Sequence, residues 1–322
     1  MTFEEILPEL KAGKKIIREG WGGFELYVTF VEGEVYDNAP VTPYFLIKTA
    51  DEGFSSFAPT VCDILAEDWK NCGMTAPWIE DKTIVFVTGA ASGIGKAQAE
   101  AFLAEGAQVF GVDCQLFPDT LLAQPRFFGT CCDLAVKENC LAAVQACVTH
   151  FGGITVLLNT AGKLDDYHTI AETTSMEWEE IFQTNVSSMF YLTKEILPLM
   201  QANGGGTIIN MASIAGMVAG GGGIAYTTAK HAIVGFTKQL ALDVADQGIS
   251  VKGIAPGAIQ TPMNAADFAG DGKMAQWVAE ETPVKRWAQP EEVAALTLFL
   301  ASPQASYLQG AIVPIDGGWT LK

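Results

Sequence analysis

Positive charge is scarce in this chain. Nineteen lysines and arginines stand against 37 aspartates and glutamates, a formal net charge of -18 at pH 7 over 322 residues. A surface of that sign repels phosphate backbones and anionic lipid, which excludes nucleic acid and the membrane surface as general partners. It also disfavours docking of an acidic carrier protein. Long apolar runs are missing too: no stretch reaches the length of a membrane span without Gly, Pro or charge. The opening MTFEEILPELKAGKK has no basic start and no long apolar run, so no signal peptide is expected. The three histidines form no constellation. The seven cysteines are odd in number and contain no C-x-x-C pair, which excludes zinc and thioredoxin-like patterns. Adjacent Cys131 and Cys132 read as core or near-core thiols in a reducing cytoplasm. The expected location is therefore cytoplasmic, with no bound metal.

Apolar residues are abundant, at 49% against 17% charged, enough for a well-filled core. Two regions differ in texture. Residues 1–78 mix a short amphipathic helix stopped by Gly13, FELYVTFVEGEVY and PYFLIKTA as strands, and CDILAEDW as a second short helix. This predicts a small α+β domain, closed by GMTAPWIEDK as a linker. Residues 79–322 alternate instead. KTIVFVTG, QVFGVD, ITVLLNTAG, GGTIINMAS, ISVKGIAPG and AIVPIDGG read as strands, with helical patterns between them. EWEEIFQTNVSSMFYLTKEILPLM reads as one long helix. That alternation predicts an α/β domain with a doubly wound parallel sheet of the Rossmann type.

VTGAASGIGKA lies where the first of those strands turns into a helix. Gly89, Gly93 and Gly95 allow a tight turn and close approach of a pyrophosphate to the helix N-terminus. The spacing is G-x-x-x-G-x-G, and its strand-to-helix context supports a dinucleotide reading. Asp113 ends the second strand. An acid there accepts hydrogen bonds from ribose hydroxyls and repels a 2'-phosphate, and Cys114 after it is not basic, so NAD(H) is expected. Further on, AYTTAKHAIVGF sets Tyr226 and Lys230 four apart, side by side on a helix. Taken alone, that pair is either a structural Tyr beside a snorkelling Lys or the proton-handling pair of an enzyme.

In combination these segments resemble the short-chain dehydrogenase/reductase family, from about residue 80 to 322. TGAASGIG, with Gly89, Ser92, Gly93, Ile94 and Gly95, matches the family's cofactor glycine motif. CCDL, with Asp133 and Leu134, matches its adenine-contacting segment. NTAG, with Asn159, Ala161 and Gly162, matches its usual NNAG, Thr160 being the departure. Asn185 in TNVSSMF, Ser213 in INMASIAG, and Tyr226 with Lys230 match its catalytic set. APGAIQTPM, with Pro256, Gly257, Ile259 and Thr261, matches the segment that clamps nicotinamide, and VPIDGGW its last strand. The resemblance implies an NAD(H)-dependent oxidoreductase in which Tyr226 is the general acid/base and Ser213 holds the substrate oxygen. It further implies that Lys230 contacts the nicotinamide ribose and that Asn185 holds a relay water. A nearby ammonium and an oxidised nicotinamide are expected to lower the Tyr226 pKa. A homotetramer or dimer is implied as well.

The substrate end is less specific. Met217, Val218 and Ile224 are expected at the pocket, with MNAADFAGDGKMAQWVAEETPVKRW as a lid carrying Met274 and Trp277. Asp165, Asp166 and His168 read as a solvated loop, and His231 as structural. No Arg or Lys marks a phosphate or carboxylate subsite, so a small neutral ketone or secondary alcohol is the expected substrate. A 3-oxoacyl-acyl-carrier-protein reductase is the alternative. Asp113, the overall charge, and the lack of basic residues in LPLMQANGGGTI speak against it.

GKKIIREGWGG and CDILAEDW in the first region resemble a second family, long a domain of unknown function. Some of its phage members act as Thoeris anti-defence sponges for cyclic ADP-ribose-type signals. Gly22 replaces that family's usual Asn, and its Lys is absent. Trp21 and Trp69 are either core or a stacking platform for a base. A nucleotide sensor or sponge acting through this domain is therefore the alternative of another class, against an oligomerisation or regulatory module.

Overall fold

The computed structural model describes residues 1–12, 15–21, 25–32, 35–36, 39–49, 54–71, 79 and 82–322. Gly13, Gly22 and most of the expected linker lie outside the described residues. The chain divides into two compact units, Met1–Pro77 and Trp78–Lys322.

The first unit begins with α1 (Phe3–Lys11). Thr2 and Glu5 close a capping box at its start, Thr2 Oγ1 accepting from Glu5 N at 3.2 Å and Glu5 Oε2 accepting from Thr2 N at 2.8 Å. Strands β1 (Ile16–Arg18), β2 (Glu25–Val31), β3 (Val35–Tyr36), β4 (Ala39–Pro40), β5 (Tyr44–Thr49) and β6 (Phe54–Phe57) follow, then α2 (Val61–Ile64) and β7 (Trp69–Asn71). Five of them form an antiparallel sheet in the order β6-β5-β2-β1-β7, and β3 pairs with β4. The expected helix over CDILAEDW is thus one turn followed by an edge strand. The reason lies in Trp69, whose side chain is fully buried and donates through Nε1 to the Asp63 carbonyl at 2.7 Å. Ile6, Leu10, Ile16, Val28 and Ala66 complete that core, and Trp21 packs edge-on against Trp69. Arg18 donates to Asp63 and Asp68, each at 2.9 Å. The two signature segments are therefore in contact, through Arg18 with Asp68 and Trp21 with Trp69.

In the second unit β8 (Ile84–Thr88) leads into α3 (Gly93–Ala104), β9 (Gln108–Asp113), α4 (Asp119–Leu122), β10 (Phe127–Cys131), α5 (Lys137–Phe151) and β11 (Val156–Asn159). The chain continues through α6 (Ser175–Phe182), a π-helical turn (Gln183–Ser187), α7 (Ser188–Ala202), β12 (Gly206–Met211), α8 (Ile224–Asp243) and β13 (Ile249–Pro256). It ends with α9 (Lys273–Glu281), α10 (Pro290–Ala301) and β14 (Ile312–Ile315). The seven strands are parallel, in the order β10-β9-β8-β11-β12-β13-β14. Neighbouring side chains along a strand serve opposite cores. Val85 and Val87 pack on the α3/α10 side, whereas Phe86 packs with residues of α5 and α7. Order reverses beside β8, which sends the chain to β9 on one side and has β11 on the other. The carboxyl ends of β8, β9 and β11 thus open a crevice.

Two differences from expectation stand out. β10 reads poorly in sequence because it is a sheet-edge strand that leaves Phe128 and Cys131 exposed. The expected long helix runs on from α6 into α7, with a π turn inside it that carries Asn185. Among the described residues no helix is long and apolar enough to cross a membrane.

Candidate active site

A cavity of about 790 Å³ occupies the crevice and runs from the glycine turn to the start of α8. Its floor is built by steric exclusion. Gly89 adopts φ 71°, and a Cβ there would sit 3.1 Å from Ala161 Cα. A Cβ on Gly95 would lie 2.1 Å from the Gly89 carbonyl oxygen, so only glycine closes this turn. Thr88 holds the opposite wall, its hydroxyl accepting from Thr160 N at 2.8 Å and Ala161 N at 2.9 Å. Ser92 precedes α3 without a side-chain cap, which leaves the first amides of that helix for a ligand. Ser92, Gly93, Ile94 and Gly95 all line the cavity, with Thr261 across from Gly93. The shape and the uncapped helix end fit a dinucleotide pyrophosphate.

Asp113 lines the same end and is buried. Its Oδ2 accepts from Ala91 N and its Oδ1 from Gln115 N, both at 2.9 Å. It therefore braces the glycine loop as well as facing the cavity. Asp133 and Leu134 line the cavity with it, as do Ala161, Gly162, Pro256, Gly257 and Ile259. Asn159 does not. Its Nδ2 donates to Asn210 Oδ1 at 2.9 Å, and Asn210 donates to Thr237 Oγ1 at 3.0 Å, a buried brace between β11, β12 and α8. The Asn159 side chain therefore points into the protein, behind the cavity wall. Thr160 reaches α3 instead, donating to Gln98 Oε1 at 2.6 Å. The cysteine reading also changes. Cys131 is exposed and Cys132 half-buried, whereas burial pushes the Cys140 and Cys147 thiols up to about 12.

Ser213, Tyr226 and Lys230 meet at the other end, all buried and all on the cavity wall. Ser213 follows β12 in extended conformation, its Oγ accepting from Ala215 N at 3.1 Å. Its side chain also acts on the Tyr226 phenol, favouring the ionised form. Lys230 Nζ donates to the Met211 carbonyl at 2.8 Å. Asn185 is buried on the π turn. Its side chain grips the backbone of Lys163, accepting from N at 2.7 Å and donating to O at 2.9 Å. Gly162 separates Asn185 from Lys230: a Cβ there would lie 3.3 Å from Asn185 Oδ1 and 3.7 Å from Lys230 Nζ.

In the protein without cofactor, burial governs the electrostatics of the pair. Burial pushes the Tyr226 phenol up to about 12, partly offset by the Ser213 hydrogen bond. Burial also lowers Lys230 to about 8. Loss of solvation is the largest cause for both groups.

The substrate end is apolar. Met274 and Trp277 line it as expected, joined by Leu164, Tyr167, Ile214 and Trp287. Met217, Val218 and Ile224 are instead partly exposed and off the cavity wall. Tyr167 and Trp287 carried no periodic or motif signal in sequence, because each sits in a loop. Asp165 is buried, not solvated. His168 Nδ1 lies 2.9 Å from Glu177, which raises the His168 pKa. Asp166 joins these two, their ligand atoms lying within 4.8 Å of one another.

A parallel sheet with a glycine turn at its switch point, facing a Ser-Tyr-Lys cluster, defines an oxidoreductase of the dinucleotide-binding α/β class. Residues 89–320 match the family model described as enoyl-(acyl carrier protein) reductase. The short-chain dehydrogenase/reductase olcF of Penicillium canescens is 36% identical over 253 residues, covering 75% of this chain and 98% of that protein. A 3-oxoacyl-acyl-carrier-protein reductase of Vibrio cholerae is 35% identical, covering 73% of this chain and 96% of that one. The L-sorbose reductase of Gluconobacter frateurii, solved with NADPH and L-sorbose, superposes with a TM-score of 0.70 at 31% identity, covering 76% and 99% of the two chains. The chain belongs to the short-chain dehydrogenase/reductase family. Residues 1–72 match the Thoeris anti-defense 2-like domain.

Proposed function

We propose that this protein is an NAD(H)-dependent oxidoreductase interconverting a neutral ketone and a secondary alcohol. The observation that carries this reading is the buried Ser213–Tyr226–Lys230 cluster, at one end of a cavity whose other end is the glycine turn and Asp113. The nicotinamide, when bound, supplies the hydride chemistry. Tyr226 supplies the proton: in reduction its hydroxyl gives it to the carbonyl oxygen, and in oxidation its phenolate takes it back. Ser213 donates to the same oxygen and orients the substrate. Lys230 holds a cation beside the proton path, and Asn185 fixes the Lys163 segment around it. Asp113 selects NAD(H), because its buried carboxylate opposes a 2'-phosphate. The apolar wall of Leu164, Ile214, Met274 and Trp277 suits an uncharged carbon skeleton.

An acyl-carrier-protein thioester is the second reading, favoured by the Vibrio cholerae relative. The chain's formal net charge of -18 opposes such an acidic partner. For residues 1–72, the domain match favours a nucleotide-binding accessory module, while Trp69 serves its core. The function is tested by initial rates with NADH and NADPH on a panel of ketones, diketones and 3-oxoacyl esters, beside Tyr226→Phe. Turnover with NADH that Tyr226→Phe abolishes is the expected result. NADH binding without turnover on any carbonyl points to the sensor reading.

A further inference from the structure

We propose that Asp165 is a positioning residue for Tyr226: its carboxylate caps the amino terminus of α8 from a separate loop and sets where the phenol stands. This rests on Tyr226 being the proton-handling group.

α8 follows the run Gly220–Gly223, and its own cap residue, Gly223, has no side chain to bond the first amides. Asp165 supplies that bond from the loop after β11. Its Oδ1 accepts from Gly223 N at 2.8 Å and its Oδ2 from Tyr226 N at 2.9 Å. The carboxylate thus holds the backbone of Tyr226 directly, at a helix end that favours negative charge. It is only 6% exposed. The fit leaves no slack, since a Cβ on Gly223 would come within 2.6 Å of Asp165 Oδ2.

The loop itself is fastened on both sides. Lys163 is gripped by Asn185, and the His168 carbonyl accepts from Ile224 N at 3.2 Å. Between them Tyr167 takes a left-handed backbone, φ 59°, with its N–H 3.3 Å from Asp165 Oδ1, and its side chain joins the substrate wall. One carboxylate therefore ties the substrate wall to the acid/base helix. The titratable and polar groups facing Tyr226 are Ser213 after β12, Tyr167 and Asp165 from this loop, and Lys230 on its own helix. Among these, Asp165 opposes the phenolate by its charge and fixes the Tyr226 backbone by its hydrogen bonds.

The test compares full-length wild type, Asp165→Asn and Asp165→Ala, each with a counterpart that also carries Tyr226→Phe. Phenolate absorbance is titrated with NAD+ bound, and subtraction of the Phe counterpart isolates Tyr226. In Asp165→Asn the midpoint moves to lower pH by about half a unit to one unit, because a nearby negative charge is gone. Initial rates fall by about 10-fold in Asp165→Asn and about 100-fold in Asp165→Ala, while NADH affinity stays within about twofold. A midpoint left in place shows that Asp165 does not face the phenol, and an activity loss no greater than the unfolded fraction shows that it does not position it; either finding overturns the proposal. If Asp165→Ala does not fold, the isosteric Asn variant decides. Absence of turnover in wild type overturns the enzymatic reading, and the titration still decides the role of Asp165.

Discussion

The Lys230 ammonium stands 5.4 Å from the centre of the Tyr226 ring and gives its short hydrogen bond, 2.8 Å, to the Met211 carbonyl. The pair is adjacent on one helix, yet in the free protein burial dominates both groups: Tyr226 rises to about 12 and Lys230 falls to about 8. On the proposed mechanism, a bound, positively charged cofactor favours the phenolate.

Tyr226→Phe removes the proposed acid without emptying the site. We expect kcat to fall by about 10³-fold with NADH affinity nearly unchanged, measured by steady-state kinetics and by fluorescence titration.

Two glycine substitutions separate steric need from helix propensity. Gly95→Ala puts a methyl 2.1 Å from the Gly89 carbonyl oxygen and is expected to cost at least about 2 kcal/mol and abolish NADH binding. Gly235→Ala, inside α8 with no atom within 4 Å of the new methyl, is expected to stabilise by about 0.5–1 kcal/mol. Denaturant melts of the two variants check both signs.

Lys252 on β13 is buried and donates to the Leu300 carbonyl at 2.8 Å, and burial lowers its pKa to about 8 from 10.5. Between those values the unfolded chain binds more protons than the folded one, so stability rises with pH across that window. Lys230 contributes with the same sign. Lys252→Met should flatten the rise between pH 8 and 10.5 without removing it, read from melting temperatures across that range.

Cofactor choice is assigned to Asp113. Asp113→Ser with Cys114→Arg is expected to raise KM for NADH by about 10-fold or more and to improve NADPH, because a repelling carboxylate is replaced by a cation. An unchanged NADH:NADPH ratio of kcat/KM would reject that assignment.

Much of the site is written locally. The glycine turn, Asp113, and the Tyr226–Lys230 pair each depend on a few consecutive residues in one strand or helix, so spacing reveals them. The parallel sheet is legible for the same reason, through buried runs such as Ile84–Thr88. Edge strand β10 and the π turn at Asn185 are not, since one is half-exposed and the other interrupts an otherwise regular helical pattern. The direction of the Asn159 side chain was not legible either, because it is set by Asn210 on the neighbouring strand.

The sequence by itself determined the class of fold, the glycine turn and the chemical groups available for proton transfer, because those follow from short-range patterns. Only the tertiary structure decided how those groups are tuned and held. The high phenol pKa of Tyr226 comes from burial by segments far apart in the chain. Its placement depends on Asp165, 61 residues away, whose carboxylate reaches the Tyr226 amide only once the loop after β11 packs against the start of α8.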